Sequence, residues 1–203
     1  MTVTDDMRAQ LQARRMPARF AAPAWTPPGV FDFAPWQPVL AYDATLTHTG
    51  WALLEVSALA VHVKAKGIIN PSTGLTGYQG TWEKARQLRD ALRNLHHQIG
   101  PHVQRVVEAP SVGGGSRTES SLIAGMLVTM ESPGGAVDIS ATHVSAVMLG
   151  DARIRSAERK KAVRAYLAQL LPETTGRDWN EHMRDALITG LTYLCDRKRA
   201  HHE

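Results

Sequence analysis

Between Val39 and Ile69 three apolar runs rich in strand formers, VLAYDAT, GWALLEVS and AVHVKAKGII, follow one another with only short links. Links this short cannot carry a crossover, so the runs predict three strands that open a sheet in antiparallel fashion. The polar run LTHT between the first two suits a tight hairpin. The periodicity then changes. Over residues 79–98, Trp82, Ala85, Leu88, Leu92 and Leu95 recur at spacings of three and four, which predicts one apolar helix face, and Gly100-Pro101 ends it. HVQRVVEAP reads as a fourth strand. TESSLIAGMLVTM reads as a second helix capped by Thr118 or Ser116, and AVDIS as a fifth short strand. After a turn, SAERKKAVRAYLAQLL and NEHMRDALITGLTYLCDRK read as two more helices. The order β-β-β-α-β-α-β-α-α predicts an α/β chain, a mixed five-stranded sheet flanked by helices.

Residues 1–38 differ from the rest. After a short helical stretch, Asp5 to Arg15, prolines stand at 17, 23, 27, 28, 35 and 38, and they exclude a regular helix or central strand. This segment is read as a proline-rich N-terminal arm, and 39–203 as one folded domain. Phe20, Trp25, Phe31, Phe33 and Trp36 give the arm area to bury on this domain or a partner. The opening residues lack the apolar stretch of a secretory leader, and no run reaches the length of a membrane span. Cys195 is the single cysteine, so no internal disulfide and no cysteine-based zinc site is possible. A cytoplasmic setting with no membrane partner is expected. The net charge of +4 permits nucleic-acid binding without establishing it.

Three acids stand at telling places. Asp43 ends the first strand, Glu108 ends the fourth, and Asp185 lies early in the last helix, three residues after His182 and on the same face. Singly, each has an ordinary explanation. An aspartate at a strand end is usually a turn residue, and a helical aspartate or histidine usually faces solvent. Glu108 is the exception, since VVEA puts a charge where burial is expected and a buried charge needs a partner. If strands one and four are neighbours, Asp43 and Glu108 end side by side, and a terminal helix can bring Asp185 and His182 to them. Clustered carboxylates repel, and a divalent cation resolves that conflict.

LAYDATLTHTGWALLEV resembles the first motif of RuvC-type resolvases, with Asp43, Thr49, Gly50 and Trp51 matching. VVEAP before a small-residue loop resembles the second motif, and RSAERKKAVRAYLAQLL the basic helix before the last. HMRDALITGLTYL resembles the final motif through His182, Asp185, Ala186 and Leu187. The resemblance spans about residues 39 to 195 and implies the RuvC-like Holliday junction resolvase family on the RNase H-like fold, in the terse style of a phage or divergent enzyme. It implies a homodimeric, metal-dependent endonuclease that cuts branched DNA such as Holliday junctions in recombination, repair or replication. Asp43, Glu108 and Asp185 would bind Mg²⁺ or Mn²⁺, two ions per site about 3.5–4 Å apart. His182 would be a further ligand or an acid–base group. Two departures stand out. Ala44-Thr45 replaces the usual Pro-Gly, and no aromatic follows Glu108 between Ala109 and Ser116.

Phosphate contacts are expected from the densest basic run, Arg153, Arg155, Arg159, Lys160, Lys161 and Arg164, and from Arg117 in the SVGGGSR loop. By the resemblance, Arg159 or Lys160 stands near the scissile phosphate. The apolar second helix is expected at the dimer interface. Three other readings compete. An actin-like phosphotransferase would need a second glycine-rich phosphate hairpin, which is not found. A non-catalytic DNA-binding module would not need all the carboxylates. A nuclease preferring forks or flaps would carry the same motifs.

Overall fold

The computed structural model describes residues 37–56, 61–109, 123 and 136–202. The three consecutive strand runs form an antiparallel meander of β1 (Val39–Asp43), β2 (Thr49–Val56) and β3 (Val61–Ile69). Helix α1 (Gly77–Ile99) follows. Strand β4 (Gln104–Ala109) then pairs with β1 in parallel, and β5 (Ala136–Ser140) pairs with β4 in parallel. The five-stranded sheet has the order β3-β2-β1-β4-β5. Helices α2 (Ala141–Leu149), α3 (Ser156–Leu170) and α4 (Glu181–His202) complete the described chain, with a 3₁₀ turn at Pro172–Thr175 before α4. This is the mixed sheet with flanking helices that the pattern predicts.

Two expectations need correction. The segment after the fifth strand is not a plain turn but helix α2. Ser140 caps it by accepting from the His143 N–H, and Gly150 ends it at φ 72°. Its threonine and paired valines have weak helix propensity, and burial of Val144, Val147 and Met148 overrides that. Trp82 does not join the apolar face of α1 but is 60% exposed. It stands six residues before the buried Leu88, which turns it about 120° around the helix. The arm up to residue 36, Arg117 and its loop, and the expected second helix lie outside the described residues, except Ile123, which is buried on the α1 side. Among the described residues no helix is long and apolar enough to cross a membrane.

Strand alternation divides the core in two. Val39, Ala41, Ala52, Leu54 and Val106 face α2, α3 and α4, while Leu40, Tyr42, Leu53 and Val107 face Leu88 and Leu92 of α1. Small residues let α4 lie close on the first face. A Cβ added at Gly190 would meet Leu54 Cδ1 at 2.7 Å and Ala41 Cβ at 3.0 Å. Helix α4 is therefore buried on nearly every side over Met183–Leu191, with the sheet beneath it and α2 and α3 around it.

Candidate active site

The period of two fixes the direction of the strand-end acids. Ala41 faces α4, so Asp43 does; Val106 faces α4, so Glu108 does. The parallel register Tyr42↔Val107 puts Asp43 and Glu108 one step further along neighbouring strands, as expected from the sequence. Above them, α4 is started by Asn180, whose side chain accepts from the Met183 N–H at 2.9 Å. The helix face His182, Asp185, Thr189 is thereby lowered onto the carboxylates. His182 Nδ1 donates to Asp43 Oδ2 at 2.6 Å. Thr189 Oγ1 lies 2.8 Å from the Asp185 carbonyl and 3.3 Å from Glu108 Oε2. The close approach depends on Gly50, paired with Asp43 across the hairpin, because a Cβ there would meet the His182 backbone C and O at 2.3 Å.

From α3, Arg159 Nη2 donates to Glu108 Oε2 at 2.8 Å, and both side chains are only 12% exposed. Asp43, Glu108, His182, Asp185, Arg159 and Lys160 all line one open groove of ≈ 550 Å³. The electrostatics are strained. Burial pushes the Asp185 carboxyl up to about 7; Glu108 and Asp43 add to this, while Arg159 opposes it. Burial also raises Glu108 above the usual carboxylate range, against the pull of Arg159. His182 is raised by its hydrogen bond to Asp43, which favours the imidazolium. Burial works against the Arg159 charge, but Glu108, Asp185 and Asp43 outweigh it and raise its pKa. Arg159 Nε is buried with no hydrogen-bond partner among the described residues, a donor that an anionic oxygen would satisfy.

Replacing Arg159 by methionine is expected to destabilise the fold by about 3 kcal/mol at pH 8, because it leaves a buried carboxylate without its partner. Removing the cation raises Glu108 further, and a protonated Glu108 carries no charge to strand. The loss should therefore shrink at pH 5, which denaturant melts at the two pH values would measure.

The donor set suits a hard divalent cation: three carboxylates, two of them held above their ordinary range by burial. In the present arrangement Glu108 is turned to Arg159 and Asp43 to His182. Among the described residues no three His, Cys, Asp or Glu side chains group closely enough to hold an ion.

The basic residues expected on DNA divide. Arg159 and Lys160 line the groove, and Lys160 also pairs with Glu181 at 2.7 Å on the exposed surface. Lys161 lines a smaller pocket of ≈ 180 Å³ with Lys160, Arg164, Arg184, Glu181 and Asp185. Arg153 and Arg155 are exposed and do not line the groove, although Ala152, Ile154 and Ser156 beside them do. The sequence reading missed Arg184, held in place by two bonds to the Thr174 carbonyl at 3.0 and 2.9 Å. It missed Thr189, which looks like any buried helical threonine until its distance to Glu108 is known. It also missed His48, whose ring stacks on His182.

No protein-family model matches this sequence, and no curated protein matches it. Solved structures do match in shape. The sheet order and helix placement define an RNase H-like fold. More narrowly, the fold is that of RuvC-like Holliday junction resolvases. T. thermophilus RuvC in complex with a Holliday junction substrate is similar at TM-score 0.60 and 16% identity, over 81% of this chain and 97% of that chain. Another Thermus thermophilus RuvC structure is similar at TM-score 0.57 and 16% identity, over 79% and 95%. Fowlpox virus resolvase with its Holliday junction DNA gives TM-score 0.50 and 9% identity, over 79% and 98%.

Proposed function

We propose that this chain is a metal-dependent, structure-specific endodeoxyribonuclease that cleaves branched DNA such as Holliday junctions in recombination, repair or replication. The observation that carries the proposal is the convergence of Asp43, Glu108 and Asp185, from β1, β4 and α4, in one open groove beside Arg159 and Lys160 on a RuvC-like fold. Buried carboxylates next to guanidinium and ammonium groups suit a phosphodiester held against hard cations.

Asp43, Glu108 and Asp185 would hold Mg²⁺ or Mn²⁺, two ions per site, with His182 as a further ligand or an acid–base group. The bound ions would supply activation of a water and charge stabilisation at the leaving oxygen. The chain's own groups do the rest. Arg159 holds Glu108, and its guanidinium brings positive charge to the wall of the groove. Lys160 and Lys161, with Arg164 and Arg184 at the neighbouring pocket, extend positive charge along one strand. Arg153 and Arg155 would meet a more distant phosphate, and Arg117 would add a contact from the glycine-rich loop. A homodimer would set two such sites on two strands of one junction.

The deciding experiment incubates a labelled four-way junction, a fork, a flap and a linear duplex with the protein in Mg²⁺ and in EDTA. Symmetric paired cuts on the junction, lost in EDTA, are expected. Cuts confined to forks or flaps would keep the metal site and change the substrate. Absence of any cut, with tight junction binding, would reduce the protein to a binding module. Asp43→Asn should abolish cleavage while junction binding persists, and a cleaving variant would remove Asp43 from the metal site.

A further inference from the structure

The groove described above does not account for His48. This residue lies in the β1–β2 turn, exposed to solvent, where an imidazole gains nothing from burial. Its place is nonetheless closely held. The Thr45 hydroxyl accepts from the His48 N–H at 3.0 Å and donates to the His48 carbonyl at 3.0 Å. Buried Thr49 in turn donates to the Thr45 carbonyl at 2.6 Å. Two threonines thus staple the turn on either side of the histidine. The His48 ring lies on the ring of His182 with centroids 5.5 Å apart and planes within 5° of parallel. His182 is the residue whose Nδ1 donates to Asp43.

We infer that His48 is a positioning residue: carried on a turn whose backbone Thr45 and Thr49 staple, its ring packs flat on His182 and fixes the plane in which that imidazole meets Asp43. One hydrogen bond at Nδ1 leaves the ring free to tilt about the N···O line, and a flat surface against its face removes that freedom. The stack carries no proton and needs no charge on His48, so shape and aromaticity should suffice. The role in cleavage rests on the nuclease reading of the groove; the role in holding His182 does not.

The experiment compares wild type, His48→Ala and His48→Phe by NMR of the histidine ring carbons and nitrogens, with His182→Ala to assign the His182 signals, and measures junction cleavage in parallel. The His182 ring protons should carry a ring-current shift that His48→Ala loses and His48→Phe keeps. Single-turnover cleavage at saturating protein should fall about 5- to 10-fold in His48→Ala, the range an aromatic pair supplies, with junction Kd unchanged. His48→Phe should recover most of that rate. Unchanged His182 signals in His48→Ala would overturn the inference whatever the cleavage rates. So would a weakened Kd at unchanged rate, which would make His48 a DNA contact. If wild type cuts no DNA, the nuclease reading falls, and the ring signals still decide whether His48 holds His182.

Discussion

Asp185→Asn is expected to yield a protein that no longer cuts DNA and that melts at a higher temperature than wild type. The reason is the carboxylate's position, 7% exposed in the groove it lines with Glu108, Asp43 and Arg159. Its folded pKa is raised to about 7 from the ordinary 3.8. A raised acid is stabilised in its neutral form, so ionising it opposes folding. The cost is absent below the unfolded pKa, grows between pH 3.8 and about 7, and is complete above that. An asparagine never incurs it. At pH 8 the gain should be about 4 kcal/mol, or on the order of 8–16 °C in Tm for a chain of this size. The gap should narrow at pH 5, where wild-type Asp185 is largely protonated. Mg²⁺ or Mn²⁺ should raise the Tm of wild type at pH 8 and do so far less for the variant. Cleavage should fall on the order of 10³-fold or more, the scale of losing a group that stabilises developing charge. Thermal melts at the two pH values, with and without metal, check the stability part. An Asn variant less stable than wild type at pH 8 would show that the carboxylate is not held under strain.

Gly50→Ala should have the opposite signature, with both stability and activity lost. The added methyl would stand 2.3 Å from the His182 backbone, where no side-chain rotation relieves the contact. The first turn of α4 would have to lift from β2, at a cost of about 3 kcal/mol, the upper range for overpacking. Lifting it separates His182 and Asp185 from Asp43 and Glu108, so cleavage should drop about 100-fold, as it does when reacting groups shift by an ångström. Metal-induced stabilisation should fall with it. Gly74→Ala is the control: nothing lies within 4 Å of its Cβ position. It should be neutral, or stabilising by up to about 1 kcal/mol through the unfolded chain. Equal behaviour of the two variants in denaturant melts would refute the role given to Gly50.

The two variants separate two kinds of residue in one site. Asp185 works against the fold, and its removal relaxes the protein. Gly50 works for the fold, and its loss withdraws the support on which His182 and Asp185 rest. Arg159 stands between these cases, because it holds Glu108 and also lines the groove.

What could be read from the residues in order is what is local in the chain. Three consecutive strand runs, Val39 to Ile69, were enough to predict the antiparallel start. The ends of the first and fourth strand runs marked Asp43 and Glu108 as acids that would meet if those strands were neighbours. The three-residue step from His182 to Asp185 put both on one helix face. These signals are short-range, set by periods of two and 3.6 residues. The tertiary structure decided the rest. It turned the segment after β5 into α2, where burial outweighed propensity, and left Trp82 in solvent. It joined Asp43 to His182 across 139 residues and Glu108 to Arg159 across 51. It also set His48 on His182. The charge state of Asp185 depends on burial and on neighbours from three other elements, quantities that no window of the sequence contains.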